Sequence, residues 1–425
     1  GENNIRILVK DDNGAAVFDN RITPWISMLT DNGYGEALPG PTNVPVWWCG
    51  GAYKVGRTRA MPFASTNVIH ITAARNEYEP FQLSLRPNAA LANVTVSISD
   101  FIQSGSGASI ASSNVTLSLV DYVPVTELYY APEGSVGDTP DPLLPIAAPF
   151  NAPAFTNTTV WFTVKVPKQV PAGNYSAMIT VSHSGGAFNV PVQLHVYNFT
   201  LSDATHTANV MNVVLDELWH KPANDTQRRQ IWELYLQNMA RHRISPYMPQ
   251  QLDQFVSDYD ANTGLFTHDF TKFDAAMPHY LDDLHFNTFH WLDEARDNYG
   301  IGGALRNATD GNGNPIINPA FKPIYSAYAQ SYARHLCEKG WFDKASCYWV
   351  DEPDLDNSAA VLAKVRDGMQ LVGNAVPGLA RQLPDCNYDF PKADLYGDVE
   401  IWVPGMDSYT FKPDRLAQRA LGQHR

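Results

Sequence analysis

The sequence predicts a two-domain protein: an N-terminal β-sandwich followed by a (β/α)8 TIM-like barrel that stops short at its C-terminal end. Three observations lead there. Up to about residue 198 apolar and polar residues alternate in short runs separated by turns rich in Gly, Pro, Asn and Ser. Past a polar linker at Leu201 to Thr207 the pattern changes, and strands alternate with helical segments. One apolar strand of this second half, Tyr348-Trp349-Val350, ends in adjacent carboxylates, Asp351-Glu352, and is stopped at once by Pro353. The boundary falls between residues 200 and 201, giving a sandwich over 1–200 and a barrel over 201–425.

The first half justifies the sandwich strand by strand. Ile5 to Val9 is closed by the turn Asp11-Asp12-Asn13-Gly14, and Val68 to Ile71 follows. Gln82 to Leu85, Val94 to Ile98 and Val115 to Leu119 alternate cleanly. Trp161 to Val166, Tyr175 to Val181 and Val190 to Val196 complete the set. Many short strands at this spacing, with no helical period, build two packed sheets.

In the second half the apolar run Val210 to Leu215 leads to helical spacing over Asp225 to His242, with Asp225 or Thr226 as cap. Ile244 to Met248 is extended, Phe270 to Leu284 helical and Phe286 to Trp291 extended. Pro323 to Glu338 is a helix ended by Lys339-Gly340. Cys347 to Val350 is then the fourth strand, followed by a helix from Ser358 to Leu371 that Gly373 ends. Leu379 to Leu383 and Val399 to Val403 are strands, and Arg415 to Leu421 is a helix. Repeated βα units predict a parallel sheet. The count reaches about six strands, so the barrel is expected to be incomplete or truncated after Arg425.

Composition narrows the function. The net charge is −14 and no basic run stands out, which speaks against nucleic acid and an anionic membrane surface. No apolar stretch approaches the about 20 residues of a membrane span. Cys49, Cys337, Cys347 and Cys386 are scattered without C-x-x-C spacing, so they read as mainly buried thiols rather than a zinc site or disulfide scaffold. Asp310-Gly311-Asn312-Gly313-Asn314 resembles the start of a calcium loop, but Phe321 stands where the closing Glu would fall, which predicts a polar hairpin. Neither a metal nor a cofactor is expected.

Acids at the C-terminal end of a barrel strand are placed for chemistry. Asp216-Glu217 and Asp293-Glu294 also follow strands, but they lead into polar loops where acids at a helix start suffice as explanation. Asp351 and Glu352 differ, because their strand is tightly apolar and Pro353 ends the ladder directly behind them. Two-carboxylate glycosidases hold their acids across the scissile bond, about 5–5.5 Å apart for retention or about 6.5–9.5 Å for inversion. Adjacent residues approach from one wall. They suit substrate assistance, in which Glu352 protonates the leaving oxygen and Asp351 orients an acetamido group that attacks its own anomeric carbon. Trp291, Trp402 and Tyr409 could stack a sugar or pack the barrel, and Asp385 could bond a hydroxyl or serve a turn.

The chain resembles glycoside hydrolase family 123 and its wider relatives. The matching pieces are residues 73–82 (Ala73 to Gln82), 171–175 (Pro171 to Tyr175), 349–353 (Trp349 to Pro353) and 399–404 (Val399 to Pro404). The resemblance implies a sandwich joined to a barrel, an Asp-Glu pair after the fourth barrel strand, and retaining β-N-acetylgalactosaminidase activity. It carries the acetamide-orienting role to Asp351 and the acid/base role to Glu352. A glycan substrate and a secreted, periplasmic or cell-surface location follow as expectations; the oligomeric state is left open. Two alternatives stand beside it. One is a glycosidase with separated carboxylates, pairing Glu352 with Asp293 or Asp216. The other is a non-catalytic carbohydrate-binding surface protein. The motif at 73–82 is expected to pack the sandwich against the barrel.

Overall fold

The structure, a computed structural model, describes residues 5–10, 16–22, 29–127, 136–213, 221–291, 307–350, 359–385, 395 and 397–404. The chain divides into two compact units, Gly1–Ser202 and Asp203–Arg425.

The first unit holds two seven-stranded sheets. One runs through Ser109–Ile110, Phe101–Gln103, Gly173–His183, Gly186–Thr200 and Ile69–Arg75, with Leu91–Ile98 and Phe150–Ala152 off the same path. The other runs through Gly137–Pro145, Val115–Val125, Thr158–Lys165, Tyr78–Leu85, Val46–Gly50, Glu36–Leu38 and Ala64–Ser65. Ile69, Tyr175, Ile179, Val192 and Leu194 of the first sheet share one core with Phe81, Leu83, Val160 and Phe162 of the second. Phe81 and Phe162 stack at 4.7 Å between ring centroids. Alternating strands therefore bury one face each, which is the sandwich arrangement. A second small core, Tyr34, Trp47, Cys49 and Val55, covers the outer face of the second sheet.

Two of the motifs serve this scaffold. Asn76 turns with a left-handed φ of 65°. Its amide donates to the Val166 carbonyl at 2.8 Å and its side chain to the Leu201 carbonyl at 2.8 Å. Glu77 accepts the Ala74 amide at 2.6 Å. These three bonds run within the sandwich. In the second motif the Tyr175 hydroxyl donates back to the Pro171 carbonyl at 2.7 Å, a corner that fixes the start of its strand.

Among the described residues the second unit contains six parallel strands: β1 (Val210–Met211), β2 (Ser245–Pro246), β3 (Phe289–His290), β4 (Ala345–Tyr348), β5 (Ala380–Asp385) and β6 (Ile401–Pro404). Neighbours in sequence are neighbours in space. β1 pairs with β2, β3 with β4, β4 with β5 and β5 with β6, all parallel. The His290 amide donates to the Tyr247 carbonyl at 2.9 Å and joins β3 to the end of β2. Strict consecutive order is what repeated right-handed βα units produce. Among the described residues these strands do not close into a barrel.

Four α-helices are described here: α1 (Asp225–Arg241), α2 (Thr271–Pro278), α3 (Phe321–Lys339) and α4 (Ala359–Ala375). α1 is capped one residue earlier than the sequence suggests, by Asn224, whose Oδ1 accepts the Gln227 amide at 2.9 Å. α2 gives way after Pro278 to a single π turn over His279–Asp283. Gly340, at φ 72°, ends α3 as expected. The expected stop of α4 at Gly373 is corrected. The helix runs through to Ala375, and Gly373 is needed for space, since a Cβ there would lie 2.4 Å from Arg381 Nη1. Residues 310–314 form the tip of a hairpin between Asn307–Thr309 and Pro315–Ile317, with Asp310 accepting the Asn312 and Asn314 amides. Cys49 and Cys347 are buried, whereas Cys337 is exposed, contrary to the buried-thiol expectation. Among the described residues no helix is long and apolar enough to cross a membrane.

Candidate active site

Register and burial sort the side chains of the parallel strands onto two faces. Phe289, Ala345, Cys347, Trp349 and Leu383 belong to the core shared with α3 and α4. On the opposite face Tyr348 pairs with Gln382, and Gln382 with Ile401. His290 pairs with Ser346 on this same face. Parity of two along each strand makes this division automatic.

The face turned away from the helices gathers four polar and aromatic side chains from successive strands. His290 is fully buried, and its Nε2 lies 3.0 Å from Gln382 Oε1. The Tyr247 ring stands 3.7 Å from the His290 ring between centroids. Tyr348 lies 5.5 Å from Tyr247 and 5.4 Å from His290. The Gln382 carbonyl assigns the imidazole proton to Nε2, an assignment that follows from the network. At the other end of the strands, Ser245 Oγ donates to Asn287 Oδ1 at 3.1 Å, and Asn287 Nδ2 ties down the Thr205 and Thr207 carbonyls. One end is thus sealed by backbone ties, and the other carries titratable and aromatic groups, the polarity expected of a parallel-strand site.

The sequence-predicted residues distribute unevenly. Asp351, Glu352 and Tyr409 lie outside the described residues, as do Asp216, Glu217, Asp293 and Glu294. β4 and its continuation are described up to Val350, the residue that precedes Asp351. Asp385 is the last residue of β5, paired with Pro404 of β6. Trp291 is 1% exposed, and its ring lies 4.3 Å from that of Tyr332 in α3, a packing position in the core. Trp402 pairs with Leu383 and packs against the same core. Both tryptophans therefore lie on the helix side, away from the His290 face. Tyr247, His290 and Gln382 were not singled out by sequence. Each of the last two stands one residue from an apolar core position, Phe289 and Leu383, and so points to the other face; that offset is the signal that would have found them.

The motif at 399–404 has a structural partner. Arg381 donates to Glu400 through Nε at 2.9 Å and through its backbone amide at 2.8 Å, and its Nη1 reaches the Met369 carbonyl at 3.0 Å. Burial pushes the Glu400 carboxyl up, but the Arg381 bonds overcome it and hold the pKa below its ordinary value. This pair locks β5 to the approach of β6. A wider hollow of about 950 Å³ lies between α1 and α2, lined by Arg229, Glu233, Asp253, Lys272, His279 and Tyr280. Its charges answer one another: Arg229 pairs with Asp253 at 2.9 Å and His279 with Glu233 at 3.1 Å. It is a seam between helices, away from the strand ends. Among the described residues no cluster of His, Cys, Asp or Glu is arranged to hold a metal ion.

Comparison with known proteins agrees with the motifs. Residues 56–183 match the family model described as the glycoside hydrolase 123 N-terminal domain. A solved family 123 glycoside hydrolase from Clostridium perfringens, described through its hydrolysis of glycolipid glycans, superposes with a TM-score of 0.60 at 16% identity. The match covers 85% of this chain and 67% of that one, and at this identity it shows the fold. Two further solved structures match a smaller share of the chain. The CooA pilin subunit of enterotoxigenic Escherichia coli has 10% identity, covers 36% of this chain and 96% of its own, with a TM-score of 0.21. A PapD-like domain of human CEP192 has 10% identity, covers 39% and 92%, with a TM-score of 0.20. No curated protein matches the sequence.

Proposed function

We propose that this chain, a relative of glycoside hydrolase family 123, is a retaining glycoside hydrolase that removes a terminal β-linked N-acetylhexosamine, N-acetylgalactosamine in the first place, from a glycan. The observation that carries the reading is the position of Asp351-Glu352 in the sequence, directly after the fourth of six consecutive parallel strands. The family match over residues 56–183 supports the hydrolase class. The consecutive strand order supports a barrel as the catalytic scaffold.

In this reading Glu352 donates its proton to the leaving oxygen as the glycosidic bond breaks. The acetamido oxygen of the same sugar closes on the anomeric carbon, with Asp351 accepting its N–H and steadying the charge that develops on the ring it forms. Water then opens that ring, and Glu352 takes the proton back. Tyr247, His290, Tyr348 and Gln382 supply the floor below, with two half-buried tyrosines as the groups a sugar would meet.

Replacing Glu352 by Gln abolishes turnover of an aryl β-N-acetylgalactosaminide in this reading, and unchanged rates would sink it. A thiazoline mimic of the closed acetamide ring should inhibit tightly. Weak inhibition together with full dependence on Glu352 would instead favour a hydrolase with two separated carboxylates.

A further inference from the structure

The sandwich carries a cleft of its own, on the outer face of its second sheet. It has a volume of about 120 Å³ and is walled by Tyr53, Lys54, Gln82, Asp141, Leu143 and Trp161. We propose that this cleft is a glycan-binding site separate from the strand ends, taking one neutral pyranose residue of a longer glycan. The inference goes beyond the catalytic reading and stands if that reading fails.

The walls are built in advance. Tyr53 remains 40% exposed, while Tyr34 stacks flat against it at 4.3 Å and 8°. The half-buried Trp161 indole is fixed by its Nε1, which donates to Thr163 Oγ1 at 3.1 Å. The loop between them is pinned from below, because the buried Gln82 amide donates to the Gly50 and Tyr53 carbonyls at 3.1 and 2.9 Å. Gly51 sits so close to Pro80 and Trp161 that a Cβ would fall 2.7 Å from the Pro80 ring. Two aromatic surfaces held in place before binding lose little rotamer freedom on meeting a ligand.

The polar groups then decide the ligand class. Lys54 Nζ lies 3.2 Å from Asp141 Oδ1 and also donates to the Pro140 carbonyl at 3.0 Å. Both side chains are well exposed, 49% and 70%, so the pair presents a donor and an acceptor side by side at the rim. Adjacent donor and acceptor beside an aromatic face is the pattern that reads vicinal hydroxyls with a C–H face above a ring. An anionic ligand is disfavoured by the Asp141 carboxylate and by the net charge of −14. A lipid chain is disfavoured by the ion pair. A proline-rich peptide is the other occupant that aromatic walls accept.

The test uses the full chain in affinity electrophoresis through gels carrying a neutral β-galactan, glycol chitin or no polysaccharide, with a proline-rich decapeptide as competitor. Wild type should be retarded by at least one of the two polysaccharides. Trp161→Ala should weaken that retardation about tenfold, as loss of an aromatic anchor does, and Asp141→Asn should weaken it while leaving the melting temperature unchanged. Neither variant should alter hydrolysis of a small aryl glycoside. Glu352→Gln should lose hydrolysis and keep the retardation, so the two sites fail separately. No retardation of wild type by either polysaccharide, retardation unchanged in both variants, or retardation abolished by the decapeptide would each overturn the assignment. Should Trp161→Ala unfold, the exposed Asp141→Asn substitution and Tyr53→Ala decide alone.

Discussion

Gln250 Nε2 donates to the His290 carbonyl at 2.9 Å and replaces a hydrogen bond that the main chain cannot make. The His290 amide already donates to the Tyr247 carbonyl. In a parallel ladder the His290 carbonyl should then accept from residue 249. Residue 249 is proline and has no N–H. The fully buried Gln250 side chain reaches over and supplies the missing donor, holding β2 and β3 in register where the floor residue His290 sits.

Gln250→Leu should therefore take this donor away from the His290 carbonyl in a buried place. The expected loss is about 1–3 kcal/mol of stability, read from urea unfolding. Its effect on turnover should exceed that of an equally destabilising change in α1, because the lost bond lies beside the floor. Gln250→Glu should be no better, since a carboxylate accepts and cannot donate.

Gly368 is also held to glycine by space. A Cβ on it would come 2.1 Å from Trp349 Nε1. Trp349 is 2% exposed and meets Tyr325 edge-on at 5.2 Å between centroids. Gly368→Ala gains helix propensity, about 1 kcal/mol, but must displace the indole two residues ahead of Asp351. The net outcome should be a loss of about 1–3 kcal/mol, as overpacking gives, with a fall in kcat larger than the change in KM. A variant as stable and as active as wild type would show that α4 can shift freely against β4.

The lock between Arg381 and Glu400 gives a third prediction. Glu400→Gln keeps the shape and removes the charge from a pair whose arginine is 10% exposed and whose carboxylate is 44% exposed. Half-exposure weakens the pair relative to a fully buried one, so a cost of about 1–2 kcal/mol is expected. Arg381→Met should cost more, because Nη1 also donates to the Met369 carbonyl within α4. Thermal melts of the two variants compare these directly.

Much of this architecture could be read in the sequence because burial writes periodicity into it. Val94 to Ile98 and Val115 to Leu119 alternate because one face of each meets the sandwich core. The helix over Phe321–Lys339 shows its apolar side at Tyr325, Tyr328, Tyr332 and Leu336. The floor was harder to see. Tyr247, His290, Tyr348 and Gln382 come from four segments far apart in sequence, and no spacing within any one segment links them. Trp291 and Trp402 drew attention as large rings near strand ends, yet parity with Phe289 and Leu383 assigns both to the helix side. Gly373 looked like a helix stop because its other duty, making room for Arg381, depends on a residue of the next strand.

The pH dependence of stability should run in opposite directions in the two units. His268 lies between Ser257 Oγ, at 2.8 Å, and Ser331 Oγ. Burial first, and the neighbouring His335 second, push its pKa down to about 4. An unfolded histidine takes its proton near 6.5, so between pH 6.5 and 4 the unfolded chain binds more protons than the folded one. Stability of the second unit is thus lost as pH falls through that window, by about 3 kcal/mol at most. Glu79 behaves in the reverse sense. Burial, then the charge of Glu77, raise its carboxyl to about 7. The folded sandwich keeps a proton that the unfolded chain has lost above about 4.5, so its stability falls as pH rises from 4.5 to 7. Unfolding by urea at pH 4.5, 6 and 8, followed in wild type, His268→Gln and Glu79→Gln, separates the two. His268→Gln should flatten the loss on the acid side, and Glu79→Gln should be more stable than wild type at pH 8 and equal to it at pH 4.5. A Glu79→Gln protein that is less stable than wild type at pH 8 would mean that the carboxylate is held by a favourable partner in the folded sandwich.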